Sequence, residues 1–389
     1  MAPLARRVGV PASSTLTAMS DITIPADLLP ADGRFGCGPS KVRQESVDRL
    51  AAAGPTILGT SHRKPAVKDI VGRIRSGMKA YFGLPEDYEV AITNGGATFF
   101  WDAACYGLIE QRSAHAVFGE FSSKFAKSAE IAAHLESPVT VESEVGTHPT
   151  MERIEGVDVY ALTHNETSTG VTMPVTRPAG NGLVLVDATS GAGAIEFDPT
   201  EVDAYYFSPQ KAFGAEGGLC VALLSPAAQA RIGGIRATGR PTPPSLDLSI
   251  VLDNSAKDQT YNTPAVSSLF LLADSVEWLL GEGGLSAVAE DCREKSGLVY
   301  GWAEARDWAT PFVADPADRS PVVCTVDLDD AIDASQVSSI LRANGILDTE
   351  AYRKLGRNQL RLGVFPAVDT ADVEQLLASI DHVVEALTA

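Results

Sequence analysis

The sequence predicts an α/β protein, with a large domain around a mostly parallel sheet and a smaller α/β domain at the C-terminal end. Strand-like and helix-like patterns alternate along most of the chain, the sequence form of βαβ construction. Several strand runs, Leu183–Asp187 and Leu219–Leu224 among them, are apolar without polar alternation, as expected of strands covered on both faces. The length, 389 residues, exceeds what one hydrophobic core commonly serves, so two domains are expected.

In chain order, residues 1–20 carry Arg6 and Arg7 without a continuous apolar run. They read as a disordered tail rather than a secretory signal, with Met19 an alternative start. Strands are expected over Tyr88–Thr93, Ala114–Phe118, Val157–Thr163, Leu183–Asp187, Ala204–Phe207 and Leu219–Leu224. Helices are expected over Thr98–Ile109, Phe121–Leu135 and Ala265–Leu280. Gly281, Gly283 and Gly284 then mark a hinge, giving a large domain over residues 21–282 and a small one over 283–389, with the N-terminal segment a candidate to pack on the small domain. The small domain reads as a long helix Leu285–Trp308, strand Pro321–Asp327, helix Ala334–Ala343, strand Gln359–Val364 and a last helix. In that helix Val373, Leu376, Leu377, Ile380, Val383, Val384 and Leu387 share one face.

Lys and Arg number 31 against 50 Asp and Glu, a formal charge of −19, so nucleic acid and anionic lipid are poor partners and any bound anion must be met by local cations. No uncharged apolar run reaches the ~18–20 residues of a membrane helix. Cys37, Cys105, Cys220, Cys292 and Cys324 are scattered and odd in number, which disfavours both a disulfide framework and a zinc site. No metal is expected.

The densest chemical signal is Ala204-Tyr-Tyr-Phe-Ser-Pro-Gln-Lys211-Ala-Phe-Gly-Ala-Glu-Gly-Gly218. An apolar strand runs into a turn where Lys211 sits among small residues. A lysine desolvated there has a lowered pKa and a free lone pair for Schiff-base chemistry, although an ordinary surface lysine also fits this segment alone. Asp187 ends another apolar strand 24 residues earlier, at the rim where α/β proteins bind ligands. Alone it reads equally as a helix cap or turn residue. Together the two match what a pyridoxal cofactor needs: an amine for its aldehyde and a carboxylate for its ring nitrogen. Thr93-Asn-Gly-Gly-Ala-Thr98 supplies a Gly-rich turn between strand and helix where a phosphate meets backbone N–H groups. Phe121, just after a strand, is placed to lie on a ring or to fill a core.

Ser208-Pro-Gln-Lys211, Asp187, Asn165-Glu166-Thr167, Gly95-Gly96-Ala97-Thr98, Ser61-His62-Arg63 and Tyr261-Asn262-Thr263-Pro264 occur in the order seen in the phosphoserine aminotransferase family. The chain resembles that family from about Phe35 to Pro366. The resemblance implies the fold-type I architecture of pyridoxal-phosphate enzymes, with pyridoxal 5′-phosphate as cofactor. By the same resemblance Lys211 holds the cofactor as a Schiff base and shuttles the proton, Asp187 pairs with the ring nitrogen, Thr167 bonds the ring hydroxyl and Phe121 stacks on the ring. Gly96, Ala97, Thr98 and Gln210 hold the phosphate, with Asn262 and Thr263 reaching it from the second subunit of a cytoplasmic homodimer. His62, Arg63 and Arg353 bind the substrate phosphate or the glutamate side-chain carboxylate, and Arg361 forks the α-carboxylate. Arg361 also stands out without the resemblance, because it interrupts the apolar run Leu360–Phe365, where an arginine lacking an anion partner is costly.

Three positions depart from the commoner family pattern: Phe121 where many members have Trp, Ala97 where they place Arg, and Tyr352 where a His usually precedes Arg353. The segment from Arg353 to Arg361 is also about two residues longer. The implied reaction passes an amino group from L-glutamate to 3-phosphohydroxypyruvate by a ping-pong route, giving 2-oxoglutarate and O-phospho-L-serine for serine biosynthesis. An alanine–glyoxylate-type aminotransferase and a cysteine desulfurase share the Asp and Lys. The first has little use for paired cation clusters, and the second needs a loop cysteine that is not evident here. Ser208-x-x-Lys211 also satisfies the Ser-x-x-Lys motif of penicillin-recognising hydrolases, without its Lys-Thr-Gly and Ser-Asp-Asn partners.

Overall fold

The computed structural model describes residues 22–389, so the tail expected over 1–20 lies outside the described residues. The large domain begins with helices α1 (Gln44–Ile57) and α2 (Pro65–Tyr81), followed by strand β1 (Glu89–Asn94), α3 (Ala97–Gly107), β2 (Ser113–Val117), α4 (Glu120–Ile131), β3 (Val139–Glu142) and β4 (Val159–Thr163). A two-strand hairpin, β5 (Asn165–Glu166) and β6 (Val171–Thr172), precedes β7 (Leu183–Asp187), β8 (Ala204–Phe207), β9 (Leu219–Leu224), α5 (Pro226–Ala237), α6 (Leu248–Ser255) and α7 (Val266–Gly281). Helix α8 (Gly284–Glu304) leads into β10 (Ala309–Pro311), β11 (Val323–Leu328), α9 (Ala334–Ala343), β12 (Gln359–Gly363) and α10 (Thr370–Thr388).

Seven strands form the main sheet in the order β1-β9-β8-β7-β4-β2-β3. The five from β8 to β3 run parallel, and β9 is antiparallel to both of its neighbours. Every residue of β4, β7, β8 and β9 is buried, because helices cover both faces. Successive residues alternate between the two layers. Val184 and Val186 enter the core with α2 and α7, whereas Leu183 and Leu185 enter the one with α3 to α6. Asp187 continues the second set, so its carboxylate falls on the α3 side. Register sets Thr163 beside Asp187, and Asp187 beside Tyr206. The loops that leave β4, β7 and β8 therefore meet at one edge, where open α/β sheets bind ligands.

The small domain was expected to be α/β, and its three strands, β10-β11-β12, prove antiparallel throughout. The sheet is covered by α8, α9 and the apolar face of α10, on which Val373, Leu376, Ile380 and Val383 are all buried. Ile24 and Phe35 complete this core from the other end of the chain. Their segment is held by Ile24 N–H to Asn344 Oδ1 at 3.0 Å, Ala31 N–H to Asp372 Oδ1 at 2.8 Å and Ser379 Oγ to the Leu28 carbonyl at 2.8 Å. Gly283 and Gly284, at φ of 102° and 78°, make the tight turn between α7 and α8 that a side chain would strain. Helix α8 then carries Val288 into the large core and Val299, Trp302 and Ala303 into the small one.

The β5–β6 hairpin is the second junction. Thr325 Oγ1 of β11 donates to the Thr169 carbonyl at 2.9 Å, and Ser320 N–H to the Gly170 carbonyl at 2.9 Å. A Cβ on Gly170 would lie 2.7 Å from the Val323 carbonyl oxygen, and the residue has φ of 73°, so glycine permits this contact twice over.

Candidate active site

The edge where β4, β7 and β8 end opens into a cavity of about 450 Å³. Lys211 follows β8 and is 6% exposed. Its Nζ donates to Thr167 Oγ1 at 2.6 Å, and Thr167 Oγ1 in turn donates to Ser190 Oγ at 2.8 Å. The lysine stem lies on Gly38, where a Cβ would come within 2.6 Å of Lys211 Cε. Burial pushes the Lys211 amine down to about 8, against the opposing pull of Asp187 and Cys37. Asp187 Oδ2 accepts from Trp101 Nε1 at 3.0 Å, and its Oδ1 from Thr189 N–H at 3.0 Å. Burial raises its carboxyl above the usual range, and these two hydrogen-bond partners pull the other way.

Across the cavity, Gly95 and Gly96 at φ of 128° and 91° turn the chain from β1 into α3, so the open start of α3 at Ala97 and Thr98 lines the cavity together with Ser208 and Gln210. Phe121 stands in the first turn of α4 with its ring centroid 5.2 Å from Lys211 Nζ. Arg361, on β12, reaches from the small domain and donates from Nη1 to the Thr167 carbonyl at 3.1 Å. Its Nε is buried and has no hydrogen-bond partner among the described residues. Tyr352 closes this side, its ring 5.3 Å from the Arg361 guanidinium and 6.0 Å from Phe121.

Gly96, Ala97, Thr98, Phe121, Thr167, Asp187, Gln210, Lys211 and Arg361 thus line one cavity. His62, Arg63, Asn262, Thr263 and Arg353 do not. His62 Nδ1 lies 3.3 Å from Thr263 Oγ1, and Arg63 Nη1 donates to Gln259 Oε1 at 3.0 Å. Asn94 Nδ2 donates to the Thr263 carbonyl at 3.0 Å and ties this exposed group to the end of β1. Arg353 is exposed, while its neighbours Lys354 and Arg357 pair with Glu120 and Asp327, each at 2.5 Å. Trp101, Cys37 and Lys124 also line the cavity and were not singled out from sequence. The signal for Trp101 was present, since an indole N–H in the apolar run Phe99-Phe100-Trp101 needs a buried acceptor.

The class-V aminotransferase family matches residues 39–349. The phosphoserine aminotransferase of Nocardioides sp. (strain JS614) is 55% identical, covering 94% of this chain and 99% of its own. That of Rhodococcus opacus is 56% identical over 94% and 98%. The chain belongs to the phosphoserine aminotransferase family. The crystal structure of a phosphoserine aminotransferase from Cytophaga hutchinsonii, 24% identical, superposes with a TM-score of 0.83 over 90% of this chain and 99% of that one, which fits the architecture above.

Phosphoserine aminotransferases are pyridoxal-phosphate enzymes, and the donor set of this cavity fits that group. A buried amine with a lowered pKa faces the space, a buried carboxylate without a cationic hydrogen-bond partner stands ready for a protonated ring nitrogen, and helix-start amides are available for a phosphate. Among the described residues no group of His, Cys, Asp and Glu is arranged to hold a metal ion, and no helix is long and apolar enough to cross a membrane.

Proposed function

We propose that this chain transfers an amino group from L-glutamate to 3-phosphohydroxypyruvate, releasing 2-oxoglutarate and O-phospho-L-serine, and that it does so as a cytoplasmic homodimer. The observation that carries the chemistry is the convergence of buried Lys211, buried Asp187 and the uncommitted Nε of Arg361 on one cavity. A relative that is itself a phosphoserine aminotransferase, 55% identical over nearly the whole chain, supports the substrate pair.

Bound pyridoxal 5′-phosphate supplies an aldehyde that takes up an amino group and a protonated ring that withdraws electrons from the carbon bearing it. Asp187 keeps the proton on the ring nitrogen, which its burial favours because a carboxylate without a cation there is costly. Lys211 Nζ, whose lowered pKa makes the free amine easier to reach near neutral pH, would take the proton from the substrate Cα and deliver it to the cofactor carbon that carried the aldehyde. Thr167 steadies Lys211, and its hydroxyl would turn from Ser190 to the ring oxygen of the bound cofactor. Phe121 covers one ring face and keeps water from it. Gly96, Ala97, Thr98 and Gln210 hold the cofactor phosphate.

Arg361 receives the α-carboxylate common to both substrates. His62, Arg63 and Arg353 take the distal anion, phosphate or γ-carboxylate, while Asn262 and Thr263 serve the cofactor phosphate of a second subunit. Exposed Arg63, Asn262, Thr263 and Arg353, with half-buried His62, lie outside the chain's own cavity, which supports a site completed across a dimer interface. The five unpaired cysteines support a reducing compartment; only Cys37 lines the cavity, and burial pushes its thiol up, away from the thiolate that desulfurase chemistry needs. We read residues 21–282 as the large domain and 283–389 as the small one. Residues 22–35 pack on the small one, and α8 and the β5–β6 hairpin tie the two together.

The test is the visible absorbance of the purified, cofactor-loaded protein on addition of O-phospho-L-serine, with L-alanine and L-serine as controls. Loss of the visible band with phosphoserine alone supports the assignment. An equal response to alanine or serine overturns the substrate.

A further inference from the structure

Glu166 does not line the cavity, yet its surroundings are organised around it. It is 0% exposed, and its carboxylate accepts only from neutral donors. Oε2 takes Phe121 N–H at 3.1 Å, Ser122 N–H at 2.9 Å and Ser122 Oγ at 3.0 Å. Oε1 takes Ser168 N–H at 3.2 Å, Ser168 Oγ at 2.7 Å and a second, longer contact from Phe121 N–H at 3.3 Å. A buried charge with no counter-ion is expensive. Here the open amides and positive end of α4 offset it. Contact is close enough that a Cβ on Gly119 would lie 2.3 Å from Glu166 Cγ.

Two walls of the cavity are rooted in this one side chain. On one side the backbone N–H of Phe121 hangs from the carboxylate. On the other, Glu166 is joined by its own peptide bond to Thr167, whose hydroxyl meets Lys211 Nζ at 2.6 Å and whose carbonyl accepts from Arg361 at 3.1 Å. A neutral amide in place of the carboxylate would turn an N–H₂ toward donors that need an acceptor, and the helix start would have to move.

We infer that Glu166 is a positioning residue, whose carboxylate sets the height and tilt of the Phe121 ring against the cofactor and locks that ring to the Thr167–Lys211 side. The inference rests on the stacking of Phe121 against the cofactor ring proposed above.

The test uses the full chain stripped of cofactor and titrated with pyridoxal 5′-phosphate, reading affinity by visible absorbance and ring orientation by circular dichroism of the bound cofactor band. Glu166→Gln should bind roughly tenfold more weakly, with the dichroic band at least about halved and far-ultraviolet dichroism unchanged. Phe121→Leu removes the ring but keeps its N–H on Glu166. In that background Glu166→Gln should cost less than about threefold, because both changes remove one arrangement. Glu166→Asp, charged but shorter, should fall between and decides the matter if the Gln variant does not fold. Additive losses, or full affinity and an unchanged band in Glu166→Gln, overturn the positioning role. A Phe121→Leu protein with unaltered affinity and band overturns the stacking itself, and the inference with it.

Discussion

Arg361 gives the sharpest quantitative prediction. Its place on β12 opposite Thr325 fixes the guanidinium, whose Nη1 is committed to the Thr167 carbonyl at 3.1 Å. Nε, buried and unpaired, and Nη2 remain to fork a carboxylate. Each charge-assisted hydrogen bond contributes roughly 1.5–3 kcal/mol, so removing both in Arg361→Met should lose about 3–6 kcal/mol of transition-state binding. That is roughly a 150- to 25,000-fold fall in kcat/KM. Arg361→Lys keeps the charge without the fork, and should lose roughly one bond, on the order of 30-fold. Single-turnover half-reactions with L-glutamate and with O-phospho-L-serine, followed by the visible band, measure this directly. Both should slow alike, since both present the same α-carboxylate. O-phosphoethanolamine lacks that group and should react with the Met variant as slowly as with the unaltered protein. A loss below about fivefold, one confined to a single substrate, or an equal loss with phosphoethanolamine would refute the assignment; the last would mean that Arg361 acts through the Thr167 carbonyl instead.

Lys211→Ala should abolish steady-state transamination while retaining noncovalent cofactor binding; appreciable turnover by that variant removes Lys211 from the chemistry. The lysine must be neutral to attack an aldehyde, so the rate at which cofactor-free protein captures pyridoxal 5′-phosphate should rise about tenfold per pH unit below about 8 and level off above it. A stopped-flow profile whose midpoint lies near the ordinary lysine value of 10.5 would contradict the burial argument. Arg63→Ala should raise KM for glutamate and phosphohydroxypyruvate together, because one cationic group serves γ-carboxylate and phosphate alike. An unchanged KM for phosphohydroxypyruvate takes Arg63 out of the site.

Strands β7, β8 and β9 were readable to the residue, because each is an unbroken apolar run bounded by polar or turn-forming residues. Lys211 and Asp187 followed from those strand ends. The edge strand β3, Val-Thr-Val-Glu with alternate residues exposed, and the three-residue β10 were too short to register, and without β10 the antiparallel order of the small sheet was hidden. The signal for helix α2 was present, since Val67, Ile70, Val71, Ile74 and Met78 recur at helical spacing with Lys68, Arg73, Arg75 and Lys79 between them. Side-chain partnerships were the least legible. Trp101 meets Asp187 from 86 residues away, and His62 meets Thr263 from 201, distances over which pattern carries no information about contact. Glu166 stood inside a quoted motif, but its work is done on backbone amides some 45 residues earlier.

The packing of residues 22–35 onto the far end of the chain also constrains how the protein is made. This segment is made early, yet its hydrogen-bonding partners Asn344, Asp372 and Ser379 lie 320 to 351 residues downstream. At roughly 5–20 residues per second, Ile24 and Phe35 wait on the order of tens of seconds before their core exists. During synthesis the large domain's sheet can form without them, while the opening segment stays an apolar strip that aggregation factors and chaperones compete for. A chain stopped short of α10 would therefore be damaged in two distant places at once, losing its last helix and leaving residues 22–35 without the surface they pack on.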